Sequence, residues 1–113
     1  MNQRMHRVQE LILREIGVII QTEMYDPRAK LVTVTAVRVS SDMSFAKVYF
    51  TVMAPPDEIK AISKALDHAK GFLRSKIAER IEIKHIPELK FYYDDTLANA
   101  DRLEQIFKQI KGE

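Results

Sequence analysis

The spacing of hydrophobic residues near the start of the chain predicts a long amphipathic helix over residues 3–23. Its apolar positions recur at intervals of three and four residues, which is the period of one helix face. These positions are Val8, Leu11, Ile12, Ile16, Ile19 and Ile20. Asp26 and Pro27 follow, and proline disfavours helical conformation in the residue before it. We therefore expect the helix to end before this dipeptide.

Two β-rich segments come next, joined by the polar residues 40–44. The first, over residues 31–40, alternates apolar and polar positions up to Ala36 and then places Val37 and Val39 on the opposite face. This change of face predicts a β-bulge, or burial of both faces, near Ala36. The second alternates strictly, and its inward positions are Ala46, Val48, Phe50 and Val52. Two such segments joined by a short polar link are typical of an antiparallel hairpin.

A second helical stripe begins after the two prolines Pro55 and Pro56, where acidic residues suit the positive end of a helix dipole. Its apolar positions are Ile59, Ile62, Leu66, Ala69, Leu73, Ile77 and Ile81. Gly71 interrupts the stripe, although glycine inside a helix costs about 1 kcal/mol relative to alanine. A glycine at such a place predicts a kink or the close approach of another backbone.

Residues 88–93 alternate again and predict a third strand, after Pro87 ends the helical part. A last helix is predicted from the apolar positions Leu97, Ala100, Leu103, Phe107 and Ile110. The order is therefore α-β-β-α-(kink)-α-β-α with a three-stranded sheet, an α+β fold. With 113 residues and no linker, we expect one domain spanning residues 1–113.

Charge is distributed unevenly along the chain. The formal net charge is only +2, but residues 60–90 contain eight lysines and arginines against four acidic residues. This pattern fits either a solvated mixed-charge helix or a face that binds a polyanion. Under the second interpretation the candidate RNA contacts flank the kink. They are Lys60, Lys64, His68, Ala69, Lys70, Gly71, Arg74, Lys76 and Arg80.

Catalytic chemistry has little support in the sequence. There is no phosphate-binding loop, dinucleotide fingerprint or nucleophile elbow, and the three histidines are scattered. Asp94 and Asp95 are adjacent, but they stand where a strand ends and a helix is predicted to begin, a position where aspartate caps amide groups. We expect no enzyme activity, no catalytic residue, no metal and no cofactor. Without cysteine and without a long apolar run, a cytoplasmic protein is the default expectation.

The chain resembles the bacterial ribosome-binding factor A family over nearly its whole length. The matching segments include Asp26-Pro27-Arg28, Val32-Thr33-Val34-Thr35, Ala46-Lys47-Val48-Tyr49, Ala69-Lys70-Gly71 and Pro87-Glu88-Leu89. Further matches are Arg7-Val8, Glu15-Ile16, Val39-Ser40, Asp42-Met43, Leu73-Arg74, Phe91, Asp94 and Arg102. Their common order and spacing, more than any one segment, carry the resemblance.

The resemblance implies a type II KH-like fold with an Ala-x-Gly kink, at Ala69, Lys70 and Gly71, in place of a Gly-x-x-Gly loop. It implies a cytoplasmic, monomeric assembly factor that binds the free 30S ribosomal subunit and its 16S rRNA. Late maturation and processing of that RNA and growth in the cold would depend on it. No membrane and no small-molecule substrate are implied.

Two other functions stay open at this point. A KH-like module could bind single-stranded RNA in general, although Ala69 in place of a glycine favours structured RNA instead. A small hydrolase is the third possibility. Tyr49 and Tyr92 occupy outward strand positions, where they could stack on bases or pack under the last helix.

Overall fold

A computed structural model describes residues 3–95, and the predicted last helix lies outside this range. Three helices and three strands follow the predicted order. They are α1 (Gln3–Glu23), β1 (Thr33–Val39), β2 (Phe45–Thr51), α2 (Pro56–His68), α3 (Lys70–Arg80) and β3 (Glu88–Tyr93). The α+β class and the three-stranded sheet are thus confirmed. None of the described helices combines the length and the apolar character that crossing a bilayer requires.

The sheet is mixed, with β2 in the middle. β1 and β2 pair antiparallel as the predicted hairpin, and the register shifts between Val34 and Ala36. Thr35 is therefore the extra residue of a β-bulge, at the place that the change of face predicted. β3 pairs parallel to β2. The Asp94 N–H continues this pairing by donating to Phe50 O at 2.6 Å.

The core lies between one face of the sheet and the helices. Val37, Val48 and Leu89 occupy aligned or neighbouring inward positions of the three strands and are almost fully buried. The predicted inward row of β2 is buried throughout. Most of the α1 stripe is buried as well: Val8, Ile12, Ile16, Ile19 and Ile20. Gln9, the buried polar side chain among the described residues, accepts a hydrogen bond at Oε1 from the Val39 N–H at 2.9 Å.

One local element was not expected from the sequence. Pro27–Leu31 forms a short 3-10 helix, so that β1 begins only at Thr33. Asp26 caps this turn, because its carboxylate accepts the Arg28 N–H at 3.0 Å and the Arg28 guanidinium at 2.8 Å. These hydrogen bonds from Arg28 lower the pKa of Asp26. A proline at the first helical position is also favourable, since no intrahelical N–H bond is lost there.

The hairpin turn is organised around the carboxylate of Asp42. Asp42 Oδ1 accepts the Ser44 hydroxyl at 2.7 Å, the Ser44 N–H at 3.0 Å and the Ser40 hydroxyl at 2.8 Å. These hydrogen bonds, led by those from Ser44, lower the pKa of Asp42 to about 2. Met43 between them has a φ of 62°, a left-handed conformation that few non-glycine residues adopt. The carboxylate thus holds a strained turn in place.

We expect the turn to contribute stability that disappears in acid. Because the folded-state pKa of Asp42 lies below the ordinary value of 3.8, its contribution is complete above the ordinary value and is lost as the pH falls towards about 2. The melting temperature of Asp42→Asn should therefore lie below that of the parent at neutral pH, and the gap should close as the pH falls from about 4 to about 2. Ser44→Ala, which keeps the N–H donor, should show a smaller gap with the same pH dependence. A gap that does not change with pH would contradict this account.

Candidate nucleic-acid interface

The helices α2 and α3 are separated by a single residue, Ala69. Its backbone angles, φ −89° and ψ 0°, are outside the helical values. Its N–H is shared between Ala65 O and Leu66 O at 3.1 Å each, and its carbonyl accepts the Leu73 N–H at 2.8 Å. The chain therefore changes direction at Ala69, although this residue is hydrogen-bonded to both helices.

Gly71 does not form the break itself. The apolar stripe predicted an interruption at Gly71, and the resemblance implied a kink over Ala69, Lys70 and Gly71. The structure places the break at Ala69, the first of these three residues, and puts Gly71 in the first turn of α3. A Cβ at this position would meet nothing within 4 Å, and Gly71 does not use the left-handed conformation. The N–H groups of a first helical turn have no intrahelical acceptor. Gly71 is exposed and carries no side chain, so the backbone of this first turn is accessible without strain.

Lys60, Lys64 and His68 form one exposed row on α2, and we call them the α2 row. Their spacing of four places them on the side away from Ile62 and Leu66, which are buried. Among the described residues, neither lysine has a carboxylate partner within ion-pair distance. Both charges are therefore free to meet an anion.

Lys70 stands at the break and is held only loosely. Its Nζ lies 3.6 Å from an Asp67 carboxylate oxygen, and both side chains are largely exposed. Exposed pairs of this kind contribute about 0–1 kcal/mol and are screened by salt. Lys70 can therefore exchange Asp67 for a phosphate at little cost.

Arg74 makes a contact inside the molecule, although the sequence placed it among the candidate RNA contacts. Its guanidinium donates to Ile86 O through Nε at 3.0 Å and Nη2 at 2.6 Å. This pair of hydrogen bonds fixes the segment between α3 and β3 against the middle of α3. Sequence periodicity does not predict this contact, because the acceptor is a backbone carbonyl twelve residues away.

Lys76 and Arg80 face α1 across a network of carboxylates. Arg80 lies 3.4 Å from Glu15 and 3.6 Å from Glu23, and Lys76 lies 3.9 Å from Glu23. Lys76 also pairs with Glu79 at 3.6 Å. The charges of these two residues are largely compensated inside the molecule. The structure thus groups the α2 row with residues 69–71 and separates them from the cations later in α3.

The outer face of the sheet carries a further set of polar and aromatic residues. Arg38, Lys47 and Lys90 are aligned across the three strands, one on each. Tyr49 and Tyr92 lie beside each other in the register of β2 and β3, with ring centroids 5.7 Å apart. The outward placement of both tyrosines is as expected. Packing under the last helix and stacking on bases both stay predictions, since that helix lies outside the described residues.

A basic groove was missed by the sequence reasoning. It has a volume of about 1120 Å³ and is lined by the first half of α1, the hairpin turn and residues 80–85. Arg4, Arg7 and Arg14 belong to it, although they lie outside the stretch 60–90 in which charge was counted. Their spacings of three and seven residues along one helix were the signal that could have found them.

Comparison with known proteins places the chain in a family. Residues 4–107 match the family model described as Ribosome-binding factor A. The chain belongs to the ribosome-binding factor A family. A protein named Ribosome-binding factor A from Chromohalobacter salexigens is 42% identical over 108 residues, covering 94% of this chain and 82% of the relative. One of the same name from Brevibacillus brevis is 38% identical over 110 residues, covering 97% and 91%.

Solved structures of the family share the fold. The crystal structure of ribosome-binding factor A from Thermus thermophilus has a TM-score of 0.69 and 29% identity, covering 79% of this chain and 94% of that one. A homology model of the Thermus thermophilus factor, fitted into the cryo-EM map of a complex with the 30S subunit, has a TM-score of 0.67 and 30% identity. It covers 80% of this chain and 94% of that one.

Arg74 and Lys64 should respond differently to the same substitution. Arg74→Met leaves the Ile86 carbonyl without its donors, which should lower the free energy of unfolding by about 1–3 kcal/mol. Lys64→Met, on the exposed face of α2, should stay within about 0.5 kcal/mol of the parent. Urea unfolding of both variants measures this. If Arg74→Met is as stable as the parent, the contact with Ile86 is not the role of this side chain.

Proposed function

We propose that this chain is an assembly factor that binds the free 30S ribosomal subunit and assists late maturation and processing of 16S rRNA. Through this role it supports growth in the cold. It acts by binding and not by catalysis, as a cytoplasmic monomer with one type II KH-like domain over residues 1–113. It requires no cofactor or small-molecule substrate. The element order, with β3 parallel to β2 after two helices, is compatible with the KH-like assignment.

The observation that carries the proposal is the exposed α2 row ending at the break before α3, in a chain of this family. The relative from Thermus thermophilus is described in a complex with the 30S subunit, and this chain shares its fold at 30% identity. Lys60 and Lys64 supply uncompensated charge on the surface that leads to Ala69. This combination suits a structured RNA backbone.

The break offers two kinds of contact to a phosphate. The lysines of the α2 row neutralise charge and release counterions, which gives binding that weakens with salt. The first-turn N–H groups of α3 point along the helix axis at the positive end of its dipole, where anions are stabilised. Because Gly71 has no side chain, a phosphate can approach the backbone there closely.

Binding alone is sufficient for the role we propose. A protein that binds one conformation of an RNA more tightly than another shifts the population towards the first.

Asp94, the first of the two adjacent carboxylates, accepts the Thr35 hydroxyl at 2.7 Å. This hydrogen bond ties the end of β3 to the bulge of β1, which is a structural use of the carboxylate.

Binding to purified 30S subunits should fall steeply as salt rises. The double variant Lys60→Gln/Lys64→Gln should bind more weakly, and its dependence of log Kd on log salt concentration should be shallower by about 0.7 to 0.9 for each phosphate that the variant no longer neutralises. Arg28→Gln/Lys30→Gln removes the same charge from exposed positions outside the candidate interface and serves as the control. The measurement is a fluorescence titration across a salt series. An unchanged slope in the α2 variant would remove the α2 row from the interface.

The same titration with unrelated single-stranded RNA separates the proposed role from general RNA binding. A 30S-specific factor should bind subunits much more tightly than this RNA. Equal affinities for the two would favour the KH-like module that binds single-stranded RNA in general.

Gly71→Ala should separate stability from binding. The new methyl group meets open space and helix propensity rises by up to about 1 kcal/mol, so the variant should be as stable as the parent or more stable. Affinity for the 30S subunit should nevertheless fall, because the methyl group blocks the approach of a phosphate. Gly17→Ala, in the middle of α1 and also in open space, is the matched control that should gain stability and keep its affinity. A Gly71→Ala protein with unchanged affinity would show that no phosphate approaches this backbone.

A further inference from the structure

The groove beside α1 is lined by a cluster of basic side chains. Arg4, Arg7 and Arg14 project from one helix, and Lys84 and His85 come from the segment after α3. All five side chains belong to exposed residues, so their polar ends are within reach of a ligand. Val8 and Leu11, between the arginines, give the groove an apolar wall.

Two of the three acidic residues that line the groove already bind other side chains of the protein. Glu15 pairs with Arg80 at 3.4 Å, and the Asp42 carboxylate holds the hairpin turn. Glu82 also lines the groove and adds one negative charge. By contrast, the arginines at positions 4, 7 and 14 and the lysine at 84 have no ion pair with any carboxylate in residues 3–95. The groove therefore has a clear excess of uncompensated positive charge.

The length of the arginine row indicates the kind of anion. Arg4 and Arg14 are ten residues apart, which is about 15 Å along a helix axis. One phosphate group cannot reach both ends of such a row, whereas consecutive phosphates of a nucleic-acid strand can. The planar guanidinium group also binds phosphate oxygens in pairs, which makes arginine suited to this contact.

From this arrangement we infer that the groove is a second RNA-binding site, which takes the sugar-phosphate backbone of an RNA strand along Arg4, Arg7 and Arg14. The inference rests on the proposed function, since it assigns a further contact to the same RNA partner. The site is distinct from the break at Ala69. Arg80, at the edge of the groove, is separated from Lys70 at the break by ten residues of α3, about 15 Å.

Two separated sites on one domain would select the geometry of the bound RNA as well as raise affinity. α1 and α3 pack on the same core and are also joined by the Glu15–Arg80 pair, so the distance between the groove and the break is set by the fold. Once one site is bound, the second binds at a high effective concentration if the RNA geometry permits both. The protein would then favour RNA in which two backbone segments lie at that distance.

The test uses three variants of the full chain with purified 30S subunits. Arg4→Gln/Arg7→Gln/Arg14→Gln removes the groove charges, and Lys60→Gln/Lys64→Gln removes those of the α2 row. Arg28→Gln/Lys30→Gln removes two exposed charges outside both sites and outside the outer face of the sheet, and losses are compared per charge removed. Glutamine keeps helix propensity, and melting curves verify that each variant is folded.

We expect the groove variant to lose at least about tenfold in affinity at about 0.1 M salt and to show a shallower salt dependence, with little change in the control. Equal losses in the groove variant and the control would overturn the inference, since net charge alone would explain them. If the α2 variant is impaired and the groove variant is not, the inference fails while the proposed function stands. If only the groove variant is impaired, the inference stands and the α2 row is excluded.

Two further arms identify the ligand. Protein-free 16S rRNA should distinguish parent from groove variant as the subunits do; a defect seen only with intact subunits would mean that the groove binds a ribosomal protein and would overturn the inference. Inorganic phosphate should compete no better than chloride at equal ionic strength. Stronger competition by phosphate would show a small-anion site in place of a site for an RNA strand.

Discussion

All helices of the described chain bury their apolar side chains against the same face of the sheet, and this constraint organises the rest of the molecule. Ile12 and Ile16 of α1, Leu66 of α2 and Leu73 of α3 reach the same core as Phe50 of the central strand. Because the apolar layer uses one side of every element, the other sides are left to charged and polar groups. The basic surfaces are consequences of this one-sided burial.

The elements followed from the sequence because their periods are local. The α1 stripe and the alternation of β2 need no knowledge of distant residues, and even the bulge at Thr35 was visible as a change of face. The short helix at Pro27–Leu31 was not, since it depends on the capping of a few residues by Asp26 and has no repeating pattern. The parallel pairing of β3 with β2 likewise depends on the path of the chain between them.

The candidate site was predicted only in part, and the reason is that charge on a sequence does not reveal its partner. Lys60 and Lys64 have no ion-pair partner within the described range, whereas Arg80 meets Glu15 from a helix 65 residues earlier. Arg74 meets a backbone carbonyl, which no count of acidic residues includes. The groove is built from α1, the hairpin turn and residues 80–85, so that only the folded chain brings its charges together.

The bulge at Thr35 also bears on how the sheet meets other molecules. β1 has one neighbour among the described strands, which makes it an edge strand. Side chains bind two of its backbone groups, because Gln9 Oε1 accepts the Val39 N–H and the Arg38 guanidinium donates to Val37 O. A regular edge of this kind can be extended by a strand from another copy, which is a common route to aggregation. The extra residue bends β1 and breaks its regular spacing, while the Thr35 hydroxyl is held at 2.7 Å from Asp94. The irregularity of β1 thus disfavours the association of two copies of the chain through this edge.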